Sequence, residues 1–326
     1  MLYPLKFTPI LKETIWGGAK LRKLFGKSEG SAGRKIGESW ELSAVKDNVS
    51  LISNGPLKGK SLQAILNEDG QAVLGKFLHG KFGNEFPLLI KFIDADDNLS
   101  VQVHPDDAIA KQKHNSFGKT EMWYILDNEP GAQLISGFKR ALTKQDYKNS
   151  VADNTILSKL ASYKIKPDDG FFIPAGRVHA IGKGIVLAEI QQTSNITYRI
   201  YDYDRKDAQG KARELHTELA AEAIDLKDTS GAPVKQTDKG GSVKEVCSCR
   251  YFTVNAYEVS KRLTRDYKKL DSFVVLICLS GSCDILYSGG SEHIKKGDTV
   301  LIPYSIKNNI ELKGAAKILE TYIPAP

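Results

Sequence analysis

The sequence predicts a mainly β protein of two domains, each a small jelly-roll barrel, with a few helices in the N-terminal part. Its 326 residues are about twice the ~150 residues of an average domain. Short segments rich in β-branched and aromatic residues recur along the chain, and turn residues separate most of them. Many short strands joined by turns are typical of small β-barrels and jelly rolls.

The predicted elements follow from this pattern in chain order. Strands are expected at residues 86–94, 99–104, 121–126, 133–137, 170–174, 185–191, 196–203, 252–259, 273–279, 283–287, 299–302 and 317–322. Helices are expected at residues 61–78, with a break at Asp69-Gly70, at residues 143–161, and at residues 218–225, where Thr217 would cap the helix.

One segment is typical of a linker between domains. Residues 228–242 are rich in Gly, Ser, Thr, Asp and Lys, and an all-strand region follows them. We therefore expect a domain with helical insertions at residues 1–235 and a β domain at residues 240–326.

Charge and hydropathy narrow the range of partners. The 46 basic and 39 acidic residues give a net charge of +7, which favours an anionic partner such as a phosphorylated metabolite. Basic residues form only short clusters interleaved with acids, so we expect no binding to nucleic acid.

The longest apolar run, residues 273–279, is far shorter than the ~20 residues of a membrane span, and the N-terminus lacks a secretory pattern. With only four cysteines, we expect reduced thiols, no membrane partner and a cytoplasmic location.

A polar face on one predicted strand is the first candidate for chemistry. Alternation places Val101 and Val103 on one face and Ser100, Gln102 and His104 on the other. Inside a barrel, three polar side chains need partners, because burying unpaired polar groups is costly. A bound metal would supply one partner, and a strand face open to solvent is the alternative.

Two more residues complete a set of possible metal donors. Glu121 opens an apolar strand two residues after Lys119, and His179 follows a Pro-Ala-Gly turn. Each alone is typical of an exposed or structural residue. Together with Gln102 and His104 they form a set that suits Zn²⁺, with one weak neutral ligand in the amide. Such a site carries net positive charge and suits an anionic or polarised oxygen substrate.

Two charged residues interrupt later strands. Glu189 breaks the apolar run 185–191 and shares a face with Gln191, whereas Arg199 lies in a Tyr-rich strand. Arg199 would either pair with an anion or lie on the wet face of an edge strand.

Several of these motifs together resemble the type I mannose-6-phosphate isomerase family. They are Gln-x-His-Pro at 102–105, Lys-x-Glu at 119–121, Pro-Ala-Gly-x-x-His-Ala at 174–180, and the run Glu-Ile-Gln-Gln-x-Ser-Asn-x-Thr-Tyr-Arg-x-Tyr-Asp-Tyr-Asp-Arg at 189–205. The segments at 16–18, 37–43 and 213–216 are similar to the short bacterial branch of that family. The strength of the resemblance comes from the agreement of separate motifs in the same order.

The resemblance implies a bicupin fold and a zinc-dependent aldose–ketose isomerase. The expected reaction interconverts mannose 6-phosphate and fructose 6-phosphate through a cis-enediol, with one Zn²⁺ per chain and a small sugar phosphate as substrate. Family roles map onto metal ligands Gln102, His104, Glu121 and His179, catalytic residues Arg199, Glu189 and Lys119, and substrate-binding residues Ser100, Arg199 and Lys119. Glu189 is the candidate general base, with a metal-bound water as an alternative.

Two positions depart from the family pattern. Larger members carry an acid in the run that here is Thr193-Ser-Asn195, so no role of that acid transfers. Arg177 is not matched to any position of the family pattern and is expected either to touch the substrate phosphate or to face solvent.

Two other functions remain open at this level. Iron or manganese oxygenases of the cupin type commonly use His-x-His, and Gln102-Val-His104 argues against one because an amide binds redox metals weakly. A sugar-binding protein without catalysis is the second, and the intact donor set argues against it.

The C-terminal domain has no His–Glu set and is expected to pack against and support the catalytic domain. The Cys247-x-Cys249 pair is a weak metal motif, and ordinary thiols are expected there.

Overall fold

Three β-sheets of nine, five and six strands make up most of the computed structural model, which describes residues 1–27, 33–206 and 209–324. In the first part of the chain the strands are β1 (Leu5–Thr8), β2 (Ile10–Gly18), β3 (Ile36–Leu42), β4 (Ala44–Val45), β5 (Asn48–Val49), β6 (Leu51–Ile52), β7 (Leu88–Ala95), β8 (Val101–Val103), β9 (Glu121–Asn128), β10 (Gln133–Phe138), β11 (Leu160–Lys164), β12 (Gly170–Ile173), β13 (His179–Ala180), β14 (Ile185–Gln192) and β15 (Tyr198–Tyr201). Those that follow are β16 (Thr237–Asp238), β17 (Lys244–Ser248), β18 (Thr253–Arg265), β19 (Val274–Tyr287), β20 (Gly290–Lys295), β21 (Thr299–Ile302) and β22 (Ile310–Tyr322). The mainly β prediction is therefore confirmed.

Short helices connect these strands. They are α1 (Lys20–Phe25), α2 (Leu62–Leu74), α3 (Lys76–Phe82), α4 (Asp107–His114), α5 (Lys144–Ala152) and α6 (Thr217–Ala223), with 3₁₀ turns at Ile156–Lys159 and Tyr304–Ile306. Side chains cap the start of three of them: Ser61 accepts from the amide of Ala64 before α2, and Asp106 accepts from the amide of Ile109 before α4. Thr143 and Asp146 form a capping box at α5. Among the described residues, no helix has the length and apolar character needed to cross a membrane.

The predicted break in the first helical stretch is confirmed. Asp69 leaves the helical region with φ −157°, and its carboxylate accepts from the amide of Ala72, which starts the next turn. A second break at Gly75, with φ +96°, separates α2 from α3 and was not predicted.

Two other helix predictions were wrong in their bounds. The helix predicted for residues 143–161 ends at Ala152, because Asn154 takes the left-handed conformation (φ 55°) and the chain goes on to a 3₁₀ turn and β11. Thr217 does not cap α6, since it is the first helical residue and His216 occupies the cap position without a side-chain bond. The strands predicted at 273–279 and 283–287 form one strand, β19, with a register shift between Cys278 and Ser280.

The nine-stranded sheet combines the C-terminal strands with two strands from the start of the chain. β18, β22 and β19 form its long centre, and β21 pairs with β19. β1 then pairs with β21, with Leu5 opposite Leu301, and β6 pairs with the free edge of β1. Because this sheet includes strands from both sides of the expected linker, the division into residues 1–235 and 240–326 stays a prediction.

The six-stranded and five-stranded sheets carry the candidate site residues. Their orders are β12-β9-β14-β7-β3-β2 and β11-β10-β13-β8-β15. Both contribute to one apolar core, with Trp123 and Phe171 from the first sheet and Leu134 from the second. The ring of Trp123 in the six-stranded sheet lies 5.3 Å from the ring of His179 in the five-stranded sheet. His179 is therefore placed directly beside this core.

The position of β1 leads to a stability prediction. Leu5 is fully buried in the shared core, so Leu5→Ala leaves a cavity and should lower the free energy of unfolding by ~2–5 kcal/mol. Leu51→Ala on the neighbouring strand β6 is the matched control, because Leu51 is 48% exposed, and it should change stability by less than ~0.5 kcal/mol. Urea unfolding measures both, and equal effects of the two substitutions would contradict the burial of β1.

Candidate active site

Two histidines and one glutamate form a buried triad between the two smaller sheets. His104 follows β8, Glu121 opens β9, and His179 opens β13, where it pairs with Gln102 of β8. All three triad side chains are buried, and their candidate donor atoms lie within 4.8 Å of one another. No other group of three or more His, Cys, Asp or Glu side chains within the described ranges has this arrangement.

The hydrogen bonds of the two imidazoles direct their free nitrogens at each other. His104 Nδ1 donates to the carbonyl of Ile196 and His179 Nδ1 donates to the carbonyl of Arg177, both at 2.9 Å. Burial lowers the pKa of His104 to about 3 and that of His179 to about 4, so both rings are neutral at pH 7. Both Nε2 atoms therefore present lone pairs, 3.1 Å apart.

This arrangement fits a divalent metal ion. The Nε2 atoms of His104 and His179 lie 3.4 and 3.5 Å from the carboxylate oxygens of Glu121. Oε1 of Glu121 is buried without a hydrogen-bond partner among the described residues. Donor separations of this size match the edge of a tetrahedron with ~2.0–2.1 Å bonds, which is the usual zinc geometry.

Gln102 adjoins the triad through its side-chain amide. Its Nε2 lies 3.3 Å from Nε2 of His179, and its Oε1 accepts from Ser100 at 3.4 Å. A half-turn of the amide exchanges these atoms and turns the oxygen toward the imidazole. All four residues grouped from the sequence as donors therefore lie together.

Lys119 is the cation that contacts the triad. Its buried ammonium donates to Glu121 Oε2 and, at 3.0 Å, to His104 Nε2. Burial alone would raise the pKa of Glu121, but Lys119, His104 and His179 together outweigh it and hold that pKa well below its usual value. Lys119 Nζ also lies 3.9 Å from Oε1 of Glu189, so it links the triad to a second buried carboxylate.

Glu189 lies in a buried group of charges that the sequence analysis missed. Its Oε2 accepts from Trp123 Nε1 at 2.9 Å, and its Oε1 lies 3.2 Å from Nζ of Lys91. Lys91 also pairs with Glu38 at 3.2 Å. Burial alone would lower the pKa of Lys91, but these carboxylates raise it, so Lys91 stays charged. The feature of the sequence that could have revealed this group of charges is the single lysine inside the otherwise largely apolar strand 88–95.

Arg199 and Ser100 lie on the five-stranded side of the site. Arg199 of β15 is opposite Gln102 in the strand register, and its Nε donates to Ser100 Oγ at 3.3 Å. Its Nη1 donates to the carbonyl of Glu214 at 2.8 Å. Burial, with the charge of Arg213 next, lowers the pKa of Arg199. The local surplus of guanidinium charge favours an anion here.

Arg177 has a structural position, and the expectation that it faces solvent was wrong. The side chain is buried, and its guanidinium pairs with Asp228 through two bonds of 2.5 and 3.0 Å. It also donates to Ser230 and to the carbonyl of Phe172. These contacts fix the backbone carbonyl that orients His179.

The remaining predicted features lie away from this network. All four cysteines are free, including Cys247 and Cys249. A cavity of about 1050 Å³ lies beside the triad rather than at it, lined in part by residues 115–117 and 192–196.

Comparison with known proteins links the chain to one family of sugar-phosphate isomerases. The family model for the catalytic domain of type I phosphomannose isomerase matches residues 4–141, and that for the mannose-6-phosphate isomerase cupin domain matches residues 242–323. A mannose-6-phosphate isomerase of Bacillus subtilis is 36% identical over 98% of this chain and 99% of its own length. That of Streptococcus mutans is 35% identical over 94% and 95%.

The structural comparison agrees. The crystal structure of the mannose 6-phosphate isomerase from Bacillus subtilis matches with a TM-score of 0.89 at 33% identity, over 98% of this chain and 99% of the other. The prediction of a cupin-like fold is thereby confirmed.

The burial of the Arg177 ion pair leads to a second stability prediction. Arg177→Ala would leave the carboxylate of Asp228, which is 9% exposed, without its cation, and should lower the free energy of unfolding by ~3–5 kcal/mol. Arg34→Ala is the matched control, because its ion pair with Glu13 is 59% and 57% exposed and should contribute less than ~1 kcal/mol. Similar losses of stability in urea unfolding would contradict the structural role of Arg177.

Proposed function

The chain belongs to the type I mannose-6-phosphate isomerase family, and we propose that it interconverts mannose 6-phosphate and fructose 6-phosphate through a cis-enediol with one zinc ion per chain. The observation that carries this proposal is the buried triad of His104, Glu121 and His179 with Lys119 and Glu189 beside it. Neutral imidazoles and a carboxylate are preferred zinc ligands.

Four residues would hold the metal. His104, Glu121 and His179 supply two imidazole nitrogens and a carboxylate, and Gln102 supplies its amide oxygen after the half-turn described above. When bound, zinc would polarise the sugar carbonyl and stabilise the oxygen charge that develops as the C2 proton leaves.

Glu189 is proposed as the general base. Trp123 and Lys91 hold its carboxylate, and Oε1 has no hydrogen bond of its own within the described residues. Glu189 would take the proton from C2 of the open-chain aldose and deliver it to C1 on the same face of the enediol. The O2 hydroxyl proton passes to O1, so the aldose becomes a ketose without loss of atoms or electrons.

The other site residues are proposed to bind the substrate. Lys119 would neutralise the enediolate charge as a point charge next to the triad. Arg199 would meet the phosphate, since its planar fork suits two phosphate oxygens. Ser100 would donate a hydrogen bond to a sugar hydroxyl.

Location and domain division belong to the same proposal. Free thiols at all four cysteines support a cytoplasmic location. The cupin-domain match that begins at residue 242 supports a catalytic part at residues 1–235 and a C-terminal domain at residues 240–326.

The first test is turnover of mannose 6-phosphate in a coupled assay, before chelation, after chelation and after return of Zn²⁺. We expect activity to disappear and then return. Absence of turnover in folded, zinc-loaded protein would contradict the proposed function.

A ligand variant tests the metal site directly. His104→Ala removes one of the two imidazole donors and leaves one imidazole, one carboxylate and a weak neutral amide, so it should abolish both bound zinc and activity. His293→Ala is the matched control, since His293 is 60% exposed and pairs only with Asp284 among the described residues. Metal analysis that finds full zinc in inactive His104→Ala protein would overturn the ligand assignment.

A second variant separates the base from the metal. Glu189→Gln keeps the size of the side chain but removes its basicity, and should lower kcat by ~10²–10⁴-fold while zinc stays bound. Glu218→Gln at an 80% exposed position is the control and should behave as wild type. A kcat within a few-fold of wild type would remove Glu189 from the mechanism.

A further inference from the structure

We propose that Asp107 is a positioning residue that couples the C-terminal domain to the active site through a hydrogen bond from Tyr251. Resting on the proposed function, this assigns to the C-terminal domain the task of holding Lys119 and Glu121 in place. Asp107 lies three residues after His104, at the first turn of α4.

One oxygen of Asp107 joins two segments of the catalytic part. Oδ1 accepts from the amide of Gly118 at 3.0 Å and from Nε2 of Gln192 at 2.9 Å. Gln192 in turn accepts from the amide of Thr120 through its Oε1 at 2.9 Å. The amides held in this way belong to Gly118 and Thr120, which flank Lys119 in the sequence.

The other oxygen faces the C-terminal domain. Oδ2 accepts from the hydroxyl of Tyr251 at 2.6 Å and from Arg250 at 3.4 Å. Both residues lie in the turn between β17 and β18. A short bond from a hydroxyl to a carboxylate is a strong one, whereas Arg250 is 72% exposed and its long ion pair contributes little. Tyr251 is therefore the main contact.

The segment between α4 and β9 has little freedom to absorb a displacement. Lys119 donates its amide to the carbonyl of Pro105 at 3.1 Å. A Cβ on Gly118 would lie 2.6 Å from the amide nitrogen of Asp107, so the two backbones are in direct contact. A shift of Asp107 would consequently move Gly118 and, with it, the ammonium of Lys119.

The same carboxylate is connected to three of the segments that carry site residues. His104 precedes it on its own segment, Lys119 and Glu121 follow Gly118, and Glu189 precedes Gln192 on β14. Loss of the bond from the C-terminal domain should therefore reduce the rate of the chemical step rather than substrate binding, because misplacement of reacting groups by ~1 Å costs up to ~10²-fold.

The experiment compares Tyr251→Phe, which removes only the hydroxyl, with Asp107→Ala. Tyr304→Phe is the matched control on the same domain, because the Tyr304 hydroxyl makes no hydrogen bond among the described residues. Tyr251→Phe should lower kcat by ~3–10-fold and Asp107→Ala by ~10–100-fold, with KM for mannose 6-phosphate within about threefold of wild type. Asp107→Asn keeps an acceptor for Gly118 and Gln192 and should recover most of the loss.

Amide hydrogen exchange supplies a readout that needs no turnover. Residues 115–121 should exchange about tenfold faster in Tyr251→Phe and Asp107→Ala, because a bond that holds the segment is lost. Unchanged exchange of that segment, or kcat values equal to wild type, would overturn the proposal. If the wild-type protein shows no isomerase activity, the proposed function fails, whereas the exchange experiment still tests the positioning by Asp107.

Discussion

Burial of the Glu121 carboxylate is the constraint on which the centre of the molecule depends. An ionised carboxylate out of contact with water is unstable unless cations and hydrogen-bond donors surround it. Lys119 supplies one cation. Its own burial is compensated by Glu189, and the charges then continue through Lys91 to Glu38. Charges of alternating sign thus run from the triad into the core of the six-stranded sheet.

The net charge of this buried group also bears on which substrate charge the site favours. Its three carboxylates and two ammonium groups leave an excess of one negative charge. A divalent cation at the triad would reverse the sign of the whole group, and Arg199 adds a further positive charge at the open side. The resulting field suits a phosphorylated sugar and an enediolate, while the buried carboxylates keep their ability to accept protons.

Local patterns in the sequence were enough for many of the strands after residue 86 and for the polar face of residues 99–104. Alternation placed Ser100, Gln102 and His104 on one side of a strand, and the structure links them to the same site. The partners of Glu189 were not predicted, because Lys91 and Glu38 belong to strands that are adjacent only after folding. Agreement of motifs far apart in the chain, rather than any single spacing, identified the donor set.

The errors have the same origin. Whether a helix ends at Ala152 or continues depends on the conformation of Asn154, which local composition does not fix. The partners of Arg177 lie about 50 residues further on, and a buried ion pair of this kind leaves no periodic signal in the sequence. The first strands of the chain were not predicted at all, since their stability comes from pairing with strands at the other end.

That pairing has a consequence for how the protein folds as it is synthesised. β1 is synthesised long before its partner β21, because almost 300 residues separate Leu5 from Leu301 in the chain. Until β21 is available, the edge of β1 that later pairs with it is unpaired and open to association with other chains. The closure of such a distant contact is slow, because it needs a loop of nearly the whole chain. Completion of the nine-stranded sheet therefore has to wait for its C-terminal strands, and the edge of β1 is exposed to other chains for as long as that takes.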